Sequence, residues 1–548
     1  MLYHYKAETP RGGVPTTRGT ALIGEGSSNP IMYPGTVAAT NPDRPAVIMG
    51  DGAVVTYGEL NAGSIRLARL LRECGLRPGD HFAIMMENHP RYCEVVWAAL
   101  RSGFYVTAIN SHLTAGEAAF IVDDCEAKVL VTSAALAEEA QAMVGDTPNV
   151  VRRLMIDGEA PHHESYERAT APYSAGPLDD ERRGTVMLYS SGTTGRPKGV
   201  KFPLPSGEAS LGEGEIAGHN QARYGFREGM VYLNPAPLYH AAPLRVSLAV
   251  QSLGGTVVIM ERFDPEKALM LIERERVTHS QWVPTMFVRM LKLPEAARAK
   301  WDLSSHEMAV HAAAPCPVET KEQMIRWWGP IIEEYYAGTE NIGSTSISSS
   351  EWMSHKGSVG RASQGAVIHI CDDEGAERAP GEPGSVYFEM PSAVFEYHHD
   401  AEKTKGTAHS DHPTWRTLGD IGWLDKDGYL YLTDRKAFMI VSGGVNIYPQ
   451  EIEDVLVAHP DVLDVAVFGV PSAEMGEEVK AVVQPVDPSR SGESLTASLR
   501  AWCEDRLAGY KRPRTYDYVE QLPRLDNGKL YKRELRDRYW EGRQSKVI

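Results

Sequence analysis

Residues 189–200 read Tyr189-Ser-Ser-Gly-Thr-Thr-Gly-Arg-Pro-Lys-Gly-Val200. Glycines let the backbone turn tightly and approach a ligand, and the hydroxyl and main-chain N–H groups supply hydrogen-bond donors. Lys198 adds a positive charge, so the stretch has the composition of a polyphosphate-binding loop. The spacing of its lysine from the glycines differs from that of the Walker P-loop. Without Pro197 and Lys198 behind it, the same stretch would indicate only a flexible Gly/Ser loop.

Short apolar stretches alternate with longer helical patterns on both sides of this loop. The strand-like stretches are 82–86, 105–109, 129–132, 257–260 and 308–312. Parallel strands need crossover connections, which are usually helices, so this alternation predicts two consecutive α/β sheet subdomains.

The pattern changes after about Ser363. Gly and Pro residues and an Asp427-Gly428 turn separate short strands there, which predicts a β-rich subdomain. The last part has a helical pattern at 449–458 followed by strand-like stretches, which predicts an α+β unit.

We therefore expect an α/β fold with two domains. The large N-terminal domain, residues 1–434, would contain the two α/β sheet subdomains and the β-rich subdomain. The small α+β domain, residues 435–548, would be mobile.

Composition limits the class of protein. The chain has 548 residues, 42% of them apolar, and a net charge of -17, so it is expected to fold and has no large basic surface for nucleic acid. No stretch resembles a signal peptide or reaches the roughly 20 apolar residues that span a bilayer. The six cysteines are scattered without disulfide or zinc-ligand spacing. These features predict a cytoplasmic protein with no integral membrane contact.

Several further motifs follow the loop along the chain. In order they are Pro237-Leu-Tyr-His240, Ala312-Ala-Ala-Pro315, Tyr336-Ala-Gly-Thr-Glu340, Trp415-Arg-Thr-Leu-Gly-Asp-Ile-Gly422, Asp434-Arg-Lys436, Ser442-Gly-Gly-Val-Asn-Ile-Tyr-Pro-Gln-Glu-Ile-Glu453 and Pro523-Arg-Leu-Asp-Asn-Gly-Lys529. Each motif alone is only modest evidence for a family. Together and in this order they resemble the adenylate-forming superfamily of acyl-CoA synthetases, luciferases and peptide-synthetase adenylation domains, and most of all a fatty-acyl-CoA synthetase.

The resemblance implies a nucleotide site. The residues that it assigns to ATP or coenzyme A are Ser190, Ser191, Gly192, Thr193, Thr194, Gly195, Lys198, Ala314, Pro315, Tyr336, Ala337, Gly338, Thr339, Asp420, Arg435, Gly443 and Gly444. Within this set, Tyr336 would stack on adenine, Asp420 would accept hydrogen bonds from the ribose hydroxyls, and the diglycine would border the coenzyme A channel.

The resemblance also implies the catalytic and metal-binding residues. Lys529 would bridge the carboxylate and the α-phosphate, with Thr194 and His240 as further catalytic residues. Glu340 would help to hold Mg²⁺, a hard cation that prefers carboxylate oxygens. The first step would give an acyl-adenylate and pyrophosphate. Rotation of the C-terminal domain would then withdraw Lys529 and admit the thiol of coenzyme A. Ala437 stands where the family usually has a polar hinge residue.

The predicted substrate is a hydrophobic carboxylic acid. The residues expected to contact it are His240, Trp282, Ala312, Tyr335 and Ala337, which are mostly apolar or aromatic. Ala337 replaces the usual glycine and would narrow the pocket. Fatty, aromatic and steroid side-chain acids remain open.

Three alternatives and the oligomeric state stay open. The acceptor could be a carrier protein or an amine instead of coenzyme A, and a protein of another class could bind nucleotide without catalysis. The sequence does not decide whether the chain forms a homodimer.

Overall fold

A computed structural model describes residues 33–190, 197–205, 214–363, 365–390, 395–435, 438–443, 445–472, 474–524 and 530–540. The side chains of residues 215, 434 and 435 are outside this description. In chain order, the strands up to residue 348 are β1 (Pro45–Met49), β2 (Val54–Thr56), β3 (His81–Met85), β4 (Tyr105–Ile109), β5 (Val129–Ser133), β6 (Arg152–Ile156), β7 (Glu164–Ser165), β8 (Thr185–Val186), β9 (Leu188–Ser190), β10 (Lys198–Lys201), β11 (Val231–Asn234), β12 (Thr256–Ile259), β13 (His279–Trp282), β14 (Met308–His311), β15 (Ile332–Ala337) and β16 (Ser344–Ser348). The later strands are β17 (Arg361–Ser363), β18 (Val367–Cys371), β19 (Gly384–Glu389), β20 (Glu396–Tyr397), β21 (Trp415–Arg416), β22 (Asp420–Leu424), β23 (Leu430–Arg435), β24 (Ile440–Ser442), β25 (Val445–Ile447), β26 (Val462–Ser472), β27 (Gly476–Pro485) and β28 (Thr515–Tyr518).

The helices alternate with these strands over most of the chain. They are α1 (Pro34–Thr40), α2 (Tyr57–Glu73), α3 (Tyr92–Leu100), α4 (Ala115–Asp124), α5 (Ala137–Ala142), α6 (Tyr166–Thr170), α7 (Gly214–Tyr224), α8 (Ala241–Ser252), α9 (Pro265–Arg274), α10 (Pro284–Leu291), α11 (Glu295–Arg298), α12 (Val318–Trp328), α13 (Ser349–Ser354), α14 (Ala401–Lys405), α15 (Pro449–Val457), α16 (Glu493–Glu504) and α17 (Lys532–Trp540). Within the ranges described, no helix is both long enough and apolar enough to cross a bilayer.

The first large sheet has six strands in the order β7-β6-β5-β3-β4-β8, and all its pairings are parallel. Every residue of β3, β4 and β5 is buried. Continuous apolar runs of this kind are typical of parallel strands that are covered on both faces. The predicted α/β subdomain upstream of the glycine-hydroxyl stretch is confirmed.

The second large sheet has nine strands in the order β17-β16-β15-β14-β13-β11-β12-β1-β2. Strands β11 to β15 pair in parallel, as the alternation predicted. Strand β1 also joins this sheet, parallel to β12, with Val47 opposite Val257. That pairing was not predicted, because its two partners lie far apart in the chain.

The β-rich subdomain after residue 363 is confirmed. It contains a five-stranded sheet, ordered β18-β19-β22-β23 with β21 beside β19, and a three-stranded sheet, ordered β20-β10-β9. Gly428 lies between β22 and β23 with a φ of 80°, a left-handed conformation that glycine adopts without strain. Strand β20 brings the polypeptide after residue 394 beside β10, next to the glycine-hydroxyl stretch.

The C-terminal part has its own sheet and its own core. Strands β25-β24-β27-β26 lie in that order, with β28 parallel to β27. Buried side chains of α15 and α16, among them Ile452, Leu456 and Leu499, pack with Val465 and Val467 of this sheet. Strand β23 is the last strand of the preceding sheet. The predicted boundary at residues 434 and 435 falls at its end and remains a prediction, and Ala437 lies outside the described residues.

Candidate active site

A cleft of about 2290 Å³ is lined by residues of both large sheet subdomains, of the β-rich subdomain and of the C-terminal domain. Many predicted site residues line it: Ser190, Lys198, His240, Trp282, Ala312, Ala314, Pro315, Tyr335, Tyr336, Ala337, Gly338, Thr339, Glu340 and Asp420. Other predicted residues lie outside the described part of the chain: Ser191, Gly192, Thr193, Thr194, Gly195, Gly444 and Lys529. For Arg435 only the backbone is described, and it pairs with Asp420 in the ladder of β22 and β23.

The topology explains why these residues meet. The parallel strands β11, β13, β14 and β15 end at the same edge of the second sheet, and the cleft opens along that edge. The motifs at 237–240, 312–315 and 338–340 directly follow three of these strand ends. Ligand sites of open α/β sheets usually lie at such carboxyl ends.

Tyr336 and Asp420 form one wall of the cleft. The Tyr336 hydroxyl donates a hydrogen bond to Asp420 Oδ2, and Asp420 is only 6% exposed. A Cβ added at Gly338 would lie 2.7 Å from Leu418 Cδ1. A side chain at position 338 would therefore require the Leu418 side chain to shift, so the glycine allows the turn before Asp420 to pack closely against the 336–340 motif.

Tyr397, which belongs to none of the sequence motifs, lies beside both Glu340 and Lys198. The Tyr397 hydroxyl donates a hydrogen bond of 2.8 Å to Glu340 Oε1. Lys198 Nζ lies 5.9 Å from the centroid of the Tyr397 ring, and Lys403 Nζ lies 5.7 Å from it. The register places Tyr397 opposite Val200, two residues after Lys198. This part of the cleft therefore combines an oriented carboxylate with two ammonium groups, which suits a polyphosphate and its cation.

The 312–315 turn contains a strained backbone position. Ala313 has a φ of 77°, in the left-handed region that non-glycine residues seldom adopt. The turn follows β14, and the Ala312 N–H donates to the Trp282 carbonyl oxygen at 3.2 Å. Small side chains and a sharp bend leave room for a flat group against the backbone of Ala314 and Pro315.

His240 lies directly before α8 and lines the cleft. Its ring centroid is 4.4 Å from that of Tyr239, which is buried. The histidine is thus held at a helix start beside the space expected for the acid.

Trp282 borders the cleft, but its indole is 1% exposed and packs in the core. The Nε1 donates to Ser280 Oγ at 2.6 Å, and the ring centroid lies 5.4 Å from that of Trp328. The neighbouring Gln281 belongs to the opposite face of β13, since side chains alternate along a strand. The role of Trp282 as a substrate contact stays a prediction. Gln281 is a polar residue that lines the cleft and that the sequence did not single out.

A hydrogen-bonded chain of three side chains lines the part of the cleft next to α7. The Tyr232 hydroxyl donates to Gln281 Oε1 at 3.2 Å, and Gln281 Nε2 donates to the Tyr335 hydroxyl at 2.7 Å. Tyr232 and Gln281 are buried, and Tyr335 is partly exposed. Tyr335 precedes Tyr336 on β15, so the two tyrosines point to opposite faces of the strand.

A buried ion pair lies behind the cleft. Lys321 Nζ of α12 lies 2.5 Å from Glu334 Oε2 of β15, and the two side chains are 0% and 6% exposed. Burial raises the pKa of Glu334, and Lys321 opposes that rise. The pair ties α12 to the strand that leads into Tyr335 and Tyr336.

The two described residues that flank the segment of Lys529 lie at the cleft. Arg524 and Leu530, on either side of residues 525–529, both line the cleft and pair with each other in a single β-bridge. Arg524 forms a bidentate ion pair with Asp464, in which the distance from Nη2 to Oδ1 is 2.7 Å.

A second ion pair holds the helix that follows. Lys532 Nζ lies 2.8 Å from Glu453 Oε1, and both side chains are nearly buried.

Gly443, which was predicted to border the coenzyme A channel, is not among the described residues that line the cleft. Its N–H donates a hydrogen bond of 2.8 Å to the carbonyl oxygen of Met475 in the same domain.

Comparison with known proteins agrees with this geometry. The family model described as AMP-binding enzyme matches residues 36–398, and the one described as AMP-binding enzyme C-terminal domain matches residues 451–529. The feruloyl-CoA synthase of an Amycolatopsis species is 34% identical over 92% of this chain and 97% of its own length. The long-chain-fatty-acid–CoA ligase FadD13 of Mycobacterium tuberculosis is 31% identical over 88% and 93%.

Solved structures share the architecture. The anthranilate CoA ligase AuaEII in complex with anthranoyl-AMP has a TM-score of 0.80 at 24% identity, over 93% of this chain and 98% of its own. ATP-bound MatB from Rhodopseudomonas palustris has a TM-score of 0.77 at 28% identity, over 93% and 99%. The large N-terminal and small C-terminal domains are therefore those of adenylate-forming enzymes. The chain belongs to the AMP-binding enzyme family, among its acyl-CoA and aryl-CoA ligases, and is an acid–thiol ligase.

Proposed function

We propose that this protein uses ATP to convert a hydrophobic aromatic carboxylic acid into an acyl-adenylate and then transfers the acyl group to coenzyme A. The observation that carries the proposal is the convergence on one cleft of Tyr336, Glu340, Asp420 and the two residues that flank the segment of Lys529. The six free cysteines support a reducing, cytoplasmic location.

The preference for an aromatic acid is supported by the walls of the cleft. Its part next to α7 is lined by the partly exposed Tyr335 and by three largely buried aromatic residues, Tyr224, Phe226 and Tyr232. Aromatic walls suit a flat ring, because stacked and edge-to-face contacts add to the burial of apolar area. Relatives that are named for aromatic acids, such as the feruloyl-CoA synthase, agree with this choice.

In the first step, a carboxylate oxygen would attack the α-phosphate of ATP in line with the departing pyrophosphate. Lys529 would bridge the carboxylate and the phosphate and stabilise the charge that develops between them. Asp420 and Tyr336 would position the ribose and the base. A magnesium ion bound through Glu340 would neutralise phosphate charge, and the Tyr397 hydrogen bond holds that carboxylate in one orientation.

In the second step, the thiol of coenzyme A would attack the carbonyl carbon of the acyl-adenylate, so that a C–S bond forms, the C–O bond to AMP breaks and the thiol proton is released to solvent. For this step we propose that the C-terminal domain rotates, so that Lys529 leaves the cleft and the Gly443 loop enters it. Gly443 lies away from the cleft in the present arrangement, while Arg524 and Leu530 line it, which is the arrangement expected for the first step.

The test is a pyrophosphate-release assay with benzoic, cinnamic, medium-chain, long-chain and steroid side-chain acids, each with and without coenzyme A. We expect pyrophosphate release with the aromatic acids and a thioester only when coenzyme A is present. Release that depends on an added amine, with an amide as the product, would favour the amide synthetase alternative. No acid-dependent release from any acid would contradict the proposal.

A further inference from the structure

The chain Tyr232–Gln281–Tyr335 offers one hydrogen-bond donor to the cleft. Tyr232 is 1% exposed, and burial raises its pKa well above 10, so it carries its proton at neutral pH. Burial also raises the pKa of Tyr335 to about 12. Both phenols are therefore donors, and each needs an acceptor for its proton.

The amide orientation of Gln281 follows from this requirement. If the amide were reversed, its NH2 group would face Tyr232, and the proton of this fully buried phenol would lose its acceptor. In the observed orientation Tyr232 donates to Gln281 Oε1, and Gln281 Nε2 donates to the oxygen of Tyr335. The Tyr335 oxygen is then an acceptor within the chain, so its own proton must be directed elsewhere.

No described residue accepts the proton of the Tyr335 hydroxyl. Tyr335 is the one member of the chain that is partly exposed, and it lines the cleft. It faces away from Tyr336 and thus away from the wall that contains Asp420. A partly buried donor of this kind is best satisfied by an oxygen of the bound acid.

We propose that Tyr335 selects an aromatic acid whose ring bears an oxygen substituent, a hydroxyl or a methoxyl group, by donating a hydrogen bond to that oxygen. The proposal rests on the proposed function, since it concerns the acid activated in the same cleft. Gln281 is a positioning residue that fixes the direction of the Tyr335 proton, and Tyr232 fixes Gln281. A purely hydrocarbon acid would leave the Tyr335 hydroxyl unpaired.

The experiment compares acids of matched size in the full-length protein. Cinnamic acids with a hydroxyl or methoxyl group at ring position 3 or 4 are paired with acids that carry a methyl or ethyl group at the same position. We expect the wild type to show at least one oxygen-bearing acid with a kcat/KM for pyrophosphate release about tenfold above that of its alkyl partner. In Tyr335→Phe this ratio should fall to about one through loss of activity with the oxygen-bearing acid.

Two further variants separate selection from a general structural effect. Tyr232→Phe should also lower the ratio, because Gln281 can then reverse and accept the Tyr335 proton, but it should have no further effect in the Tyr335→Phe background. Tyr105→Phe is the matched control, since it removes a tyrosine hydrogen bond of the same 2.7 Å length outside the cleft. It should keep the wild-type ratio.

The outcomes distinguish this inference from the proposed function. Activation of aromatic acids without preference for oxygen, or a preference that survives in Tyr335→Phe, would overturn the inference alone. Failure of the wild type to activate any aromatic acid would overturn the proposed aromatic substrate and the inference with it.

Discussion

The Tyr397 hydroxyl donates a 2.8 Å hydrogen bond to Glu340 Oε1, joining strand β20 to the motif that follows strand β15. We proposed Glu340 as the magnesium ligand, and a hydrogen-bonded partner of a metal ligand commonly affects metal affinity by about 10- to 100-fold. Tyr397→Phe should therefore raise the Mg²⁺ concentration needed for half-maximal pyrophosphate release by about tenfold. Tyr105→Phe serves as the control. An unchanged Mg²⁺ dependence in Tyr397→Phe would show that this hydrogen bond does not contribute to metal binding.

Asp420 is the predicted ribose ligand, and its carboxylate is held by Tyr336. Hydrogen bonds to a charged group are worth about 1.5–3 kcal/mol, so Asp420→Ala should raise the KM for ATP by roughly 10- to 100-fold. The same variant assayed with 2′-deoxy-ATP should lose less, because one of the two contacts is already absent. Equal losses with both nucleotides would mean that Asp420 acts on the fold and not on the sugar.

The buried pair of Lys321 and Glu334 should matter more for stability than for chemistry. Removing one partner leaves an uncompensated buried charge, which typically costs about 3–5 kcal/mol. We expect Lys321→Met to lower the thermal midpoint strongly, and the double variant Lys321→Met with Glu334→Gln to recover part of the loss. Thermal unfolding of the two variants and the wild type tests this, and a double variant no more stable than Lys321→Met would contradict it.

His279 predicts how stability depends on pH. Burial lowers its pKa from the usual 6.5 to about 4, and its Nε2 lies 3.0 Å from the carbonyl oxygen of Tyr224. Between these two pH values the unfolded chain binds a proton at this residue and the folded protein does not. The free energy of unfolding should thus fall on acidification from pH 6.5 towards 4, by about 1.4 kcal/mol per pH unit from this group.

The control for that prediction is His279→Gln. This variant should be less stable at pH 7.5 but should lose less of its stability between pH 6.5 and pH 5, as followed by urea denaturation. A loss as steep as that of the wild type would show that His279 contributes nothing to the pH dependence.

The sequence motifs named many of the residues that line the cleft, but they did not indicate how these residues contact one another. Tyr336 and Asp420 were both assigned to the nucleotide from separate motifs, but 84 residues separate them and nothing in either motif indicates their hydrogen bond. Tyr397 belongs to no motif, and it reaches Glu340 only because β20 pairs with β10. Such contacts depend on sheet topology, which local patterns do not contain.

The acid site shows the same limit at the level of single residues. Apolar character pointed to Trp282, which lines the cleft although its indole is 1% exposed, and its role as a substrate contact stays a prediction. The sequence did not single out the neighbouring Gln281, which also lines the cleft and donates a hydrogen bond to Tyr335. In a strand that is buried on both faces, the sequence does not tell how far each of two adjacent side chains is open to the cleft. In the same way, the N-terminal strand β1 has an apolar pattern, but its partner β12 begins more than 200 residues later.

Lys529 is proposed to act on the nucleotide in the first step and to be withdrawn in the second. The most direct measurement compares Lys529→Ala with the wild type in two assays: acid-dependent ATP–pyrophosphate exchange, and thioester formation from a supplied acyl-adenylate and coenzyme A. We predict that exchange falls by about 10²- to 10³-fold, as expected for the loss of a preorganised charge contact, while thioester formation stays near the wild-type rate. Exchange at the wild-type rate in Lys529→Ala would show that Lys529 does not act on the nucleotide in the first step.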